Sequence, residues 1–219
     1  MDDRGYILID GSRLFASIFE VWRTRKSLKD RPVNIGRLAE VLVRTWSLNM
    51  GSFMRTMIYV KPKDGRLREM VVVPKGDVPG AKDHWKIIEC GMSIGAVPER
   101  ELQKVSAKYR DHFARAEKGL DIKLACDALL LVASGRASNV VFLVNDRDYV
   151  PLFESIHNLG GNTYLTGLDS RQRIQRDLAR LADKYLTLDE ELDHIFGVTE
   201  PEAPPTLLQQ EPGSEARGT

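Results

Sequence analysis

The chain has 219 residues, 42% hydrophobic and 29% charged, with a formal net charge of +1. That is the balance of a soluble globular protein with a substantial core, and it excludes a global field that would draw in a polyanion; any basic surface is local. Two cysteines, Cys90 and Cys126, stand 36 positions apart with no metal-ligand spacing around them, so they read as buried reduced thiols rather than a disulfide scaffold. The apolar run in the first ten residues is too short for a signal peptide. No run approaches the roughly 20 apolar residues of a membrane helix, so the expected location is cytoplasmic, with no membrane partner.

Along the chain, Tyr6–Ile9 is a short apolar run that fits a strand covered on both faces. Leu14, Ile18 and Val21 follow at helical spacing. Asn34 is placed to cap a second helix whose apolar face is Ile35, Leu38, Leu42 and Trp46. Met54–Val60 reads as a strand, and a hairpin excursion is expected near 61–86. Ile87–Cys90 and Ile94–Val97 are strand candidates, and Glu99–Glu117 has a helical composition. A patterned helix runs from Ile122 to Ala133, and Val140–Val144 is the clearest strand. Tyr149–Leu159 reads as a helix stopped by Gly160-Gly161, Asn162–Leu165 as a short strand, and Arg171–Tyr185 as one or two basic helices. Residues 199–219 are Pro-rich and polar, which predicts a disordered tail behind a domain spanning 1–198.

Strands alternating with helices predict an α/β fold with a central, mostly parallel sheet. In such sheets, functional groups collect where strands end at their carboxyl edge. Two strands end in carboxylates there: Asp10 in I-L-I-D-G-S-R-L-F, and Asp146 with Asp148 in F-L-V-N-D-R-D-Y. The structural alternative is that each simply caps the next helix, but two such strands side by side make a shared acidic site. Asp121, just before the patterned helix, is the third candidate, with an N-cap as its structural alternative. Asp127 lies four residues after Lys123, where an exposed ion pair is the favoured expectation.

Several carboxylates in one cleft need a compensating cation. An all-oxygen donor set suits Mg²⁺ or Mn²⁺ rather than zinc, and His84, His112, His157 and His194 have no zinc spacing. Hydrolysis of phosphodiesters and phosphoryl transfer are the chemistries such a site supports. The chain lacks a G-x-x-x-x-G-K-[ST] loop, which excludes a P-loop NTPase.

The segments I-D-G-S-R-L-F (9–15), K-G-L-D-I-K-L-A-C-D-A-L (118–129) and L-V-N-D-R-D-Y-V-P-L (143–152), in that order, resemble the NYN domain of the PIN-like nuclease superfamily. The resemblance spans roughly residues 5–190. It implies a Rossmann-like three-layer fold that binds Mg²⁺ or Mn²⁺ and cleaves RNA. By position it implies that Asp10, Asp121, Asp146 and Asp148 form the metal and catalytic site. Asp127 matches a frequently acidic position, and Ser12, Arg13 and Asn145 flank the set. Many family members have Asn where this chain has Arg13. An arginine only donates hydrogen bonds, so Arg13 either pairs with a carboxylate or reaches a phosphate.

RNA, single-stranded or structured, is the expected partner, with DNA as a second candidate and a homodimer left open. Lys61, Lys63, Arg66 and Arg68 form one basic cluster, Arg171 and Arg173 begin another, and Lys118 and Arg147 flank the acidic motifs. Their alternative is a solvated charged face. Trp85 and Tyr109 are candidate stacking residues, with core packing the favoured role. The expected function is a metal-dependent endoribonuclease. The competing readings are a catalytically weakened binding module, which Arg13 favours, and a small-molecule phosphatase, which the D-x-D alone favours.

Overall fold

In the computed structural model, residues 4–50, 52–61, 65–73, 85–90, 92–93 and 117–198 are described. β1 (Arg4–Asp10) carries Ile7, Leu8 and Ile9 with no solvent exposure. β8 (Asn139–Leu143) is buried throughout. Between them in sequence come β2 (Val33–Asn34), β3 (Ser52–Val60), β4 (Val71–Val72), β5 (Trp85–Glu89), β6 (Met92–Ser93) and β7 (Glu117–Lys118). β9 (Asn162–Gly167) and β10 (Lys184–Thr187) follow. The central sheet has the order β10-β9-β8-β1-β3-β5, and every pairing in it is parallel. The chain therefore builds outward from β1 to β5, returns to lay β8 beside β1, and builds outward again the other way.

Period-2 alternation sends the apolar runs to two cores, as a sheet covered on both faces requires. Ile7, Ile9, Val141 and Leu143 face one core, with helices α1 (Gly11–Thr24), α2 (Ile35–Met50) and, after the last strand, α7 (Leu192–Ile195). Leu8, Val140, Phe142 and Val144 face the other, under α4 (Leu120–Ala133), α5 (Val150–Asn158) and α6 (Arg176–Leu181). Phe142 and Phe153 meet there with ring centroids 4.9 Å apart. Asn34 caps α2 as its sequence predicts, accepting from the Arg37 amide at 3.2 Å.

Some elements differ from expectation. In the region near 61–86, the described part is a short helix, α3 (Gly65–Met70), and β4, which pairs in parallel with β2 across the chain. Residues 62–64 and 74–84 lie outside the described residues, as do 94–116 and the tail 199–219. The expected basic helices over 171–185 resolve into a loop, the single helix α6 and the strand β10. β10 is an edge strand of intermediate burial, so it lacks the apolar run that announces a covered one. Both cysteines are free, but neither is buried as expected: Cys90 is half-buried and Cys126 is exposed on α4. Among the described residues, no helix is long and apolar enough to cross a membrane.

Candidate functional site

β1 and β8 are parallel neighbours, with Ile9 opposite Leu143. Their following connections run to opposite sides, which opens a crevice at the carboxyl edge, where ligands bind in open α/β sheets. Asp10 ends β1 at this point, and Asp146 follows the end of β8. The glycine after Asp10 is a packing requirement: a Cβ on Gly11 would lie 2.5 Å from the Tyr59 carbonyl oxygen and 2.8 Å from Val60 Cγ1. Only glycine lets α1 start that close to β3.

The two Asp10 oxygens have different partners. Oδ1 accepts from the amides of Ser12 (2.8 Å) and Arg13 (3.3 Å), which caps α1. Oδ2 accepts from the Tyr149 hydroxyl at 3.0 Å. The cap and the shared acidic crevice, alternatives in the sequence, are therefore carried by one side chain. Tyr149 is 3% exposed. Burial pushes its phenol far above the usual range, and the charges of Asp10, Asp121 and Asp146 push it further. One buried hydroxyl thus touches Asp10 and feels the charge of two further carboxylates.

Asp146 caps the 3-10 turn Arg147–Tyr149, accepting from the Asp148 amide at 3.2 Å. Asp148 and Asp121 line one groove of about 270 Å³ together with Tyr149 and Ser155, over an apolar floor that includes Leu129 and Leu152. Asp121 is not an N-cap. It sits inside the first turn of α4, and the cap position is Gly119 at φ 95°, a left-handed conformation that glycine adopts without strain. Its exposed carboxylate is free to face the groove.

Asp127 is engaged elsewhere. Lys123 Nζ lies 2.6 Å from its Oδ1, the ion pair that the spacing predicts, and the Tyr59 hydroxyl donates to Oδ2 at 3.0 Å. Burial and then Asp127 push the Tyr59 phenol well up. Arg13 has a side chain only 14% exposed, and its Nη2 lies 4.0 Å from Glu20 and 3.5 Å from the Arg173 carbonyl oxygen. Burial draws its pKa down, opposed by Glu20, then Tyr185, and least by Asp10. Asn145 ties the loop before α6 to the crevice, donating to the Arg173 carbonyl (3.0 Å) and accepting from the Gln175 amide (2.6 Å).

Of the basic candidates, Arg147 is ion-paired with Asp177 at 3.2 Å and Arg66 lies over the Phe15 ring at 4.9 Å. Lys61 is partly buried, and Arg171 and Arg173 are exposed. Lys63 lies outside the described residues, and Arg68 and Lys118 are described only as backbone. Trp85 packs against the first core, and Tyr109 lies outside the described residues. The two tyrosines that hold carboxylates, Tyr149 and Tyr59, escape sequence reasoning. Tyr149 stands in the D-R-D-Y motif, but only its burial shows that its hydroxyl must find an acceptor.

The donor set of Asp10, Asp121, Asp146 and Asp148 is all oxygen, which fits a hard divalent cation. As the side chains stand, no three Asp, Glu, His or Cys groups among the described residues are close enough together to hold a metal ion. Asp10 is held in place, whereas Asp121, Asp146 and Asp148 are exposed short side chains, and like charges there repel.

A parallel sheet wound both ways from a central strand pair, with an acidic crevice at the switch point, defines a Rossmann-like domain consistent with a PIN-like fold. The NYN domain model matches residues 4–189, and the chain belongs to that family. NYN domains are PIN-like nucleases and typically depend on a metal. A search of curated proteins finds no match.

Proposed function

We propose that the protein is an endoribonuclease dependent on Mg²⁺ or Mn²⁺, which hydrolyses RNA phosphodiester bonds at the crevice between β1 and β8. The observation that carries this reading is Asp10, held by the Tyr149 hydroxyl at the carboxyl edge of β1, with Asp146 just past the end of the neighbouring parallel strand β8. Asp10, Asp121, Asp146 and Asp148 are the residues that would hold the cation. Bound there, a divalent ion offsets phosphate charge and makes water a better nucleophile. Tyr149 fixes one Asp10 oxygen and the α1 cap fixes the other, so one carboxylate needs no reorganisation. Asp121 and Asp148 set the acidic wall of the groove.

A binding module without catalysis would gain support if Arg13 filled the crevice in place of a cation. Its guanidinium instead lies toward Glu20 and the Arg173 carbonyl, which supports the catalytic reading. The test uses single-stranded and structured RNA with Mn²⁺, comparing the natural protein with Asp146→Asn. The variant is expected to lose cleavage by at least about 100-fold, the scale seen when one electrostatic group is removed from a reacting centre. Undiminished cleavage by the variant, or tight RNA binding without cleavage by the natural protein, would overturn the reading.

A further inference from the structure

Beyond the crevice, a second pocket of about 230 Å³ lies between the end of α1 and the loop before α6, lined by Glu20, Arg23, Asp169, Arg171, Gln172 and Arg173. Of its acids, Asp169 is fully matched, while Glu20 Oε2 has only a long contact with Arg13 and no hydrogen-bond partner. Asp169 Oδ2 pairs with Arg25 Nε at 2.8 Å, and Glu20 faces Arg13 at 4.0 Å. Arg23, Arg171 and Arg173 are different: among the described residues, none of these three guanidinium groups has an ion pair or a hydrogen-bond acceptor. The pocket therefore presents three unpaired guanidinium groups against one weakly matched carboxylate, Glu20.

These charges sit on a pinned surface. The Arg171 amide donates to Asp169 Oδ1 at 2.9 Å, and Gln172 Nε2 donates to the Ser17 carbonyl at 2.9 Å. The Arg173 carbonyl receives Asn145 at 3.0 Å. Asn145 directly precedes Asp146, so this loop joins the pocket to the acidic crevice. Phe19 adds an aromatic surface. It is 62% exposed and lies one helical turn before Arg23, on the same side of α1. Arginines beside an exposed aromatic ring are the chemistry of single-strand recognition, in which cations take phosphates and the ring takes an unpaired base.

We infer that the Arg23–Arg171–Arg173 pocket, with Phe19 as a stacking platform, is a docking site for single-stranded RNA that leads the strand into the crevice. This deepens the nuclease reading, on which it rests, by naming where the strand runs. From Arg13 to Arg23 the helix rises about 15 Å at 1.5 Å per residue, so the pocket engages nucleotides away from the scissile bond.

The test is fluorescence anisotropy with a labelled oligouridylate of about 12 nucleotides, in EDTA so that cleavage is off. Binding is measured across about 50–200 mM salt. Each of Arg23→Gln, Arg171→Gln and Arg173→Gln is expected to weaken binding and lower the salt slope by about 0.7. The triple variant is expected to lower it by about 2, with at least about 10-fold weaker binding. Phe19→Ala is expected to weaken binding about 5-fold or more with the slope unchanged. Arg136→Gln, on the exposed turn that leads into the amino end of β8, is expected to change neither. An unchanged slope in the triple variant, or an equal loss from Arg136→Gln, would overturn the inference. Cleavage with Mn²⁺ is read separately, so failure of the nuclease reading and failure of this pocket give different results.

Discussion

The decisive contact at the residue scale is a single proton. The Tyr149 hydroxyl is buried and needs an acceptor, while Asp10 Oδ2 is a carboxylate oxygen at a strand end that needs a donor. Each satisfies the other, and the carboxylate is left in one orientation, with the charges of Asp121 and Asp146 acting on the same hydroxyl. A similar pair, Tyr59 with Asp127, carries a lysine as well, and this separates a neutralised acid from one whose neighbours are also acidic. Tyr149→Phe keeps the ring in the core and removes only the hydroxyl. It is expected to lower stability by about 1–2 kcal/mol, the scale of a hydrogen bond to a charged group with partial replacement by water. Cleavage is expected to fall by about 10-fold, because Asp10 Oδ2 loses its fixed partner while Oδ1 stays capped, so the carboxylate is less well preorganised. Urea denaturation and RNA cleavage measure the two effects; a loss of stability with full turnover would make the pair purely structural.

At the scale of elements, the site depends on how firmly α1 and the loop before α6 are set against the sheet edge. Asn145→Ala removes both tethers to that loop, the Arg173 carbonyl and the Gln175 amide. The variant is expected to show faster hydrogen exchange at Gln175 and about 1–3 kcal/mol lower stability, with the central strands still protected. Unchanged exchange at Gln175 would show that the loop holds itself. The same elements show what the sequence makes legible. β1 and β8 announce themselves because a strand covered on both faces must be apolar throughout, and their terminal carboxylates stand out against that background. β10 does not, because an edge strand of intermediate burial carries no such run. For Asp121 the sequence leaves a site role and an N-cap both open, and only the left-handed Gly119 shows that the helix starts earlier, which removes the cap. The role of Asn145 is hidden for another reason: its partners are backbone groups about 30 residues away, which no local pattern encodes.

Across the whole molecule, a net charge of +1 conceals a segregation of sign. Carboxylates collect at the switch point, while unpaired arginines collect beside it, between the end of α1 and the loop before α6. The acidic crevice lies where the two halves of the sheet meet, since β1 and β8 begin the opposite outward progressions. A cation held by Asp10 from one half and Asp146 from the other would bind the native state and not the unfolded chain. It would therefore raise stability by mass action, by about 2.7 kcal/mol at 100 times the dissociation constant. For a domain of this size that corresponds to a rise in Tm of roughly 5–10 °C. Thermal unfolding of the natural protein is expected to move upward as Mn²⁺ is titrated in and to return on addition of EDTA. Asp146→Asn is expected to start at a similar or higher Tm in EDTA, because it removes one of several mutually repelling charges, and to lose most of the Mn²⁺ response. This readout is independent of any substrate. An equal Mn²⁺ response in the natural protein and in Asp146→Asn would place the cation elsewhere and separate the acidic crevice from the metal chemistry.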